Sequence, residues 1–545
     1  MRRSWLALIL ASALVAPAAA QDEHAGHPLP DGAHSETAVS GAPAERTSEA
    51  AAATNEAVDG RPPLLLRRGD GGFAITTAVP QAQAYFSNGM ELAAAFDHDE
   101  AIAAMVEAVR LDPTCAMCRW GHAYTLGPNL NNSKAMDERA EPYRVAREAR
   151  RLAAKAGTPL EKALIEALIE RFRPKGSEQQ RDRAYFAAMR RIAADYPAHD
   201  EVQVLAADAA FAAGFGPEEM GYAISVLEPV LARRPDHTPA IHFYIHATEV
   251  FGEPGRAEAA ADRLGAMQLD ANHLAHMPSH TWYWVGRYQD AADANRRAVL
   301  IGHGRAHGED GEWDLPYHAH NVIFGLGGAM MAGDSRTALM LARPLVDHVD
   351  DLASADPWRE LLSAAGYFAL GRFEDPQAVL ALPEPKLADL KAARRYTRGE
   401  AYAFLGDAAG VRAEIEAIPP RIGAAGPNGE IGAPDQMLAI ARAVLTGRLA
   451  MMEERYRDAA AAFAEGAQVE ETEDFQRFRD PPAFWYPVRR DLARALWAAG
   501  DREGALGEAE KTLAVRPLDP GALALIREIG ESDAELATGT TAATD

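Results

Sequence analysis

Only two of the 545 residues are cysteine, Cys115 and Cys118, so a disulfide framework is not what holds this chain together. No Lys/Arg-rich block occurs, and Lys+Arg 55 against Asp+Glu 79 leaves a net charge of −24. That balance argues against nucleic acid or an anionic lipid surface as the main partner. Beyond the N-terminus no apolar run reaches the roughly 20 residues of a membrane span, and strand signals are almost absent. Also missing are the His-Glu-x-x-His metalloprotease motif, the nucleophile elbow, a phosphate-binding glycine loop and a dinucleotide fingerprint. Hydrophobic residues at 48% and charged residues at 25% exclude wholesale disorder. Because single cores stop growing at roughly 250–300 residues, the length implies several domains or a repeat array.

The N-terminus places Arg2 and Arg3 before an apolar stretch over residues 5–15 and a small-residue site, Ala18-Ala19-Ala20. This pattern predicts a secretory signal peptide over 1–20 and a bacterial protein that is periplasmic or secreted. No cysteine follows the cleavage region, so a lipid anchor is not indicated. Residues 21–77 are rich in Ala, Gly, Pro, Ser, Thr and Glu, and read as a disordered low-complexity tail. His24 would stand third from the new amino terminus if cleavage followed Gln21, an arrangement that suits square-planar Cu(II).

From residue 81 a spacing recurs. Tyr85 is followed by Gly89, Ala101, Met105, Ala108 and Pro113. The same steps return as Ala223, Leu227, Val230 and Pro235, and as Ala493, Ala505, Ala509, Thr512 and Pro517. Looser copies are centred on Ala291, Ala338 and Ala459. Gly286, Gly333 and Gly500 each precede the repeat's Ala by five residues, where the turn between two helices falls. This spacing resembles the tetratricopeptide repeat, in which small residues let two helices approach and large ones fill the gaps. The expectation is an all-α solenoid of roughly ten to thirteen helix pairs over 78–529, ending in a disordered stretch, 530–545.

The resemblance implies which positions of each first helix face the concave groove. Applied here, it selects His242 and His246 from one repeat, His273, His276 and His280 from the next, and His320 from a third. Helical geometry agrees, since 242 and 246 are one turn apart and 273, 276 and 280 share a face. Neutral imidazole suits Zn, Cu and Ni, so the patch is a candidate site for Zn or Cu. Asp270, Glu249 and Glu253 are candidate carboxylate partners, and His303, His307 and His318 lie near in sequence. The competing reading is structural, with each histidine satisfying a local hydrogen bond or stacking on a neighbouring aromatic such as Phe243 or Trp282. Pro278, between His276 and His280, either interrupts a helix and frees the Leu274 carbonyl or begins a shortened one.

Two further clusters stand out. Cys115 and Cys118 could close a local disulfide, remain redox-active thiols or hold a soft metal. Trp485, Tyr486 and Arg489 combine aromatic and cationic groups favoured in binding hot spots, and equally suit core packing beside a solvated turn. Four segments, Asp112 to Gly121 around the cysteine pair, Leu126-Gly127-Pro128-Asn129, His276-Met277-Pro278-Ser279-His280 and Trp485-Tyr486-Pro487-Val488-Arg489, are similar to those of a group of secreted bacterial tetratricopeptide proteins. That resemblance implies the fold and the importance of these segments, and it assigns no reaction. The functional expectation is a periplasmic scaffold binding a protein or peptide in its groove, with a metal ion at the histidines. The alternatives are a metal-dependent enzyme using that cluster and a redox or metal-trafficking protein using the cysteines.

Overall fold

In a computed structural model of the chain, described over residues 62–130, 138–305, 317–352, 357–420, 433–476 and 482–541, helices follow one another in pairs. The first pair is Pro80–Ala94 with His98–Leu111, and the last clear one is Arg489–Ala498 with Arg502–Val515. No β-strand occurs among the described residues. The chain is an all-α solenoid of tetratricopeptide type.

The pairing follows from the small residues. A Cβ on Gly89 would lie 2.7 Å from the end of Met105, and one on Gly325 would lie 2.5 Å from Leu341. A Cβ on Gly447 would likewise strike the ring of Phe463. In each case a glycine on the first helix admits the large side chain sixteen residues later on the second. Ala101, Ala338, Ala459 and Ala505 are fully buried where the two helices cross. The turn is equally regular. Gly286, Gly333, Gly406 and Gly500 take φ values of +76° to +88°, the left-handed end that closes a helix with a six-to-one hydrogen bond. That bond is seen from Arg287 to Trp282, from Asp334 to Ala329 and from Asp501 to Leu496. The aspartates after these turns then cap the second helices, Asp334 on the Thr337 amide and Asp501 on the Gly504 amide.

Two features close the array on itself. Residues 62–77, expected to belong to the tail, are instead an ordered strap. The Leu65 amide donates to Asn88 Oδ1 at 3.1 Å, and Arg68 pairs with Asp97 at 3.0 Å with both side chains buried. Asp70 accepts from the Thr238 amide at 2.8 Å, and the Arg67 carbonyl accepts from the Asp270 amide at 2.9 Å. The strap thus ties the first repeat to one that begins more than a hundred residues later. Low-complexity composition misled here because these few polar groups find specific backbone partners. At the other end Tyr288 donates to the Pro517 carbonyl at 2.8 Å, and the Arg516 guanidinium lies 4.7 Å from the Trp284 ring. The last helix, Pro520–Thr541, also continues past the expected boundary at 529.

Gly286 and Gly333 share a backbone conformation and differ in surroundings. A Cβ on Gly286 would run into the Pro517 carbonyl, whereas one on Gly333 would meet nothing within 4 Å. Gly333→Ala is therefore expected to cost about 1 kcal/mol from the left-handed conformation alone. Gly286→Ala should cost roughly 2 kcal/mol more because the C-terminal repeat must shift. Denaturant midpoints of the two variants, read by circular dichroism, check the difference.

Candidate metal centre

The six singled-out histidines converge. His242 and His246 stand one turn apart on the helix Thr238–Phe251. His273 and His276 lie on Asn272–His276, His280 on Pro278–Trp284, and His320 on His318–Ala332. Met277, between the two short helices, keeps right-handed helical dihedrals (φ −49°, ψ −39°). Pro278 opens the second helix and cannot donate to Leu274, so both sequence readings of it hold. The direction of the chain is preserved, which sets His276 and His280 one turn apart on a single face.

Side by side, these residues form two three-histidine groups, His242/His246/His273 and His276/His280/His320. A third group, His246/Glu249/His280, joins them. Within each, the donor atoms lie within 4.8 Å of one another. Instead of lining an open groove, His242, His273 and His276 are fully buried, His280 and His246 are 1% and 7% exposed, and only His320 is half-buried. The array curls tightly enough for the first repeat to cover them. The Phe96 ring stacks on His273 at 4.8 Å and meets His242 edge-on at 4.6 Å. Tyr317 lies 4.6 Å from His273, and Phe324 lies 4.4–4.9 Å from His276, His280 and His320.

Burial pushes the His242 imidazolium down to about 3, and holds His246, His273 and His276 well below the usual histidine range. Desolvation is the largest cause in each, reinforced by the neighbouring imidazoles. These rings are therefore neutral near pH 7, the form that binds metals.

A neutral imidazole has one N–H and one lone pair, so its partners fix where the lone pair points. Asn295 donates through Nδ2 to the Ala291 carbonyl at 2.8 Å, which leaves its Oδ1 facing His276 Nδ1 at 2.6 Å. The proton of His276 is thus on Nδ1. Glu249 Oε2 lies 2.8 Å from His280 Nδ1, outside hydrogen-bond geometry, with its other oxygen accepting from Trp284 Nε1 at 2.8 Å. His276 Nε2 is then bare, and it faces His280 Nε2 at 2.9 Å. A proton on His280 Nε2 satisfies that contact, and a metal ion bridging the two nitrogens would satisfy it as well. Two nitrogens bound at about 2.05 Å to one ion are about 2.9 Å apart at a right angle and about 3.3 Å apart at the tetrahedral angle. The structural alternative has support as well, since hydrogen bonds engage the ring edges and the aromatic neighbours the ring faces.

The other group is less constrained. His242 Nδ1 donates to the Ala94 carbonyl at 2.7 Å, which bares its Nε2, and His273 Nε2 stands 3.1 Å away. A proton on His273 Nε2 satisfies that contact without a metal. His273 Nδ1 and His246 Nε2, both buried, have no hydrogen-bond partner among the described residues.

Several supporting residues escaped the sequence reading, although each left a signal. Asn295 is a polar residue at a position the repeat pattern gives to packing. Phe96 stands five residues before Ala101, where other repeats have glycine, and takes φ +60°. Tyr317 takes φ +65°, so two non-glycine residues in the left-handed region clamp His273, a concentration typical of functional sites. Of the carboxylates considered, Glu249 is at the centre, whereas Asp270 and Glu253 pair with Arg67 and Arg256 at the surface. His318 is buried near His320 but enters none of the groups, and neither does His303. His24 and His307 lie outside the described residues.

Cys115 and Cys118 are joined in a disulfide with their Cα atoms 5.4 Å apart. Both are buried, and Cys115 caps the helix Ala116–Thr125. A disulfide offers no thiolate to a metal, so of the open readings the structure takes the disulfide.

Trp485 and Tyr486 are 7% and 1% exposed, and a covered ring offers no docking face. The Arg372 and Arg490 guanidinium groups lie 4.4 and 5.1 Å from the Trp485 ring, and Arg490 lies 4.2 Å from Tyr486. Arg489 is engaged by Glu471 and Glu508. The expectation of a partner-binding hot spot gives way to the packing reading, because every member is already occupied.

No protein family and no curated protein matches the chain. Among solved structures it is similar to the human IFIT1 dimer with m7Gppp-AAAA, at 11% identity and a TM-score of 0.28, covering 81% of this chain and 91% of that one. It is also similar to the TPR domain of P58(IPK), at 13% identity, a TM-score of 0.20 and coverage of 77% and 98%. Yeast Tom70 gives 10% identity, a TM-score of 0.22 and coverage of 84% and 90%. The repeat assignment rests on the chain's own helix pairing.

The aromatic cluster yields a pH prediction. Glu470, 8% exposed, accepts from the Val488 amide at 2.8 Å, and burial pushes its carboxyl up from the ordinary 4.5 to about 7. Between those values the folded state holds a proton that the unfolded state has released, so stability falls as pH rises from 4.5 to about 7. The loss is about 2–3 kcal/mol. Glu470→Gln should remove that slope, raising the denaturation midpoint relative to the native chain at pH 8 but not at pH 4.5.

Proposed function

We propose that this chain is an exported helical-repeat scaffold that holds a transition-metal ion, Zn or Cu, through His276, His280 and His320, and engages a protein or peptide partner along its repeats. The observation that carries the metal is the convergence of the His276, His280 and His320 donor atoms within 4.8 Å of one another. Asn295 and Glu249 act as the partners that orient metal-bound imidazoles elsewhere, each contacting the ring nitrogen that faces away from the ion. Partner binding is supported by the extended surface that stacked repeats present, a general capacity of the fold and not proof of use. No helix among the described residues is long and apolar enough to cross a membrane. Export is supported by the N-terminal pattern, and N-terminal sequencing of the mature protein should find a start near residue 21.

A second reading is favoured by the donor count. Three nitrogen ligands leave a coordination position open, and a divalent ion there would lower the pKa of a bound water and create a nucleophile. His320, the half-buried member, marks the more open side. Turnover of a substrate would be required to move from metal protein to enzyme.

Elemental analysis of the protein made without a histidine tag is the decisive measurement. At least one equivalent of metal is expected, with one equivalent lost in His276→Ala/His280→Ala and the helical signal kept. Asn295→Leu should weaken the ion about 10–100-fold in a chelator competition, the usual cost of losing an orienting partner. No metal in the native chain, even after reconstitution with Zn, Cu and Ni, sinks the proposal.

A further inference from the structure

We infer that the cluster holds two ions, the second in the group His242, His246 and His273, so that this is a dinuclear all-histidine centre. The inference rests on the reading of His276, His280 and His320 as the first site, but a different set of observations carries it. The donor atoms of His242, His246 and His273 lie within 4.8 Å of one another. His246 Nε2 is buried with no hydrogen-bond partner among the described residues, and leaving a buried polar atom unpaired is costly. His242 has its lone pair on Nε2, because Nδ1 donates to Ala94. An ion here would engage the lone pair of His242 and the unpartnered nitrogen of His246 together.

The two groups touch. The His246 and His280 rings are 5.0 Å apart and the His273 and His276 rings 5.7 Å. Glu249, His246 and His280 also share one donor cluster across the boundary. A carboxylate at that junction reduces the repulsion between two cations held so close. The set of six imidazoles and one carboxylate suits Cu(II) or Zn(II), with no sulfur for a softer ion and too few oxygens for Mg or Ca.

The test uses the whole chain, stripped with chelator, loaded with Cu(II) and gel-filtered before metal analysis and electron paramagnetic resonance. Two equivalents are expected in the native protein, with a half-field transition from two coupled Cu(II) ions. His242→Ala/His273→Ala should retain one equivalent with an uncoupled signal, and adding His276→Ala/His320→Ala should remove it. His242→Gln/His273→Gln serves beside it, because the amide keeps a polar side chain against Ala94 should the alanines perturb folding. One equivalent in the native chain that survives His242→Gln/His273→Gln overturns the second ion and leaves the proposed function standing. One equivalent lost on mutating either group identifies a single shared ion and also overturns the pair. No copper in the native chain overturns the dinuclear centre.

Discussion

Neutral imidazole buried away from water must satisfy a donor and an acceptor on opposite edges of one small ring, and the centre of this molecule is organised by that demand. The backbone carbonyl of Ala94, the amide of Asn295 and the carboxylate of Glu249 each meet an Nδ1. Ala94 and Asn295 thereby leave the Nε2 lone pairs of His242 and His276 turned inward. In a groove open to water such lone pairs would be solvated and unremarked. Closed off by Phe96, Tyr317 and Phe324 they become a potential of one sign, attractive to a cation and to little else.

Closure comes from the repeats and not from the histidines. A tetratricopeptide array is built of neighbour contacts, yet here the first helix pair reaches the helix Thr238–Phe251 and the strap of residues 62–77 runs between them. The C-terminal repeat returns in the same way to Tyr283, Trp284 and Tyr288. The carbonyl of Ala94 therefore meets His242 although 148 residues separate them. The site is local in the repeats that carry its ligands and long-range in the residues that desolvate it.

That division also explains what could be read from the chain beforehand. The helix pairs were legible because the small residues and the turn glycines recur at fixed steps, and the convergence of the six histidines because helical geometry places residues three and four apart on one face. The strap was misread, since composition carries no information about a few aspartate and backbone contacts. Trp485 and Tyr486 were ambiguous because an aromatic next to arginine looks the same from sequence whether it faces solvent or, as here, a layer of guanidinium groups. Covering residues such as Phe96 depend on a fold-back that periodicity does not encode. Only their departures from the pattern, an aromatic where glycine recurs and an asparagine where an apolar residue recurs, marked them in advance.

Phe96 sits in a turn of the terminal repeat, and this has a kinetic side. End repeats have one neighbour instead of two and are the units that open most readily in a solenoid. Here that end carries the ring lying over His273, held down by the buried Arg68–Asp97 pair and by Asp70 on Thr238. An ion bound by His273 beneath it would leave on that side only as the first repeat lifts. Access to the centre from that side is then governed by a latch of ordinary hydrogen bonds at the edge of the array.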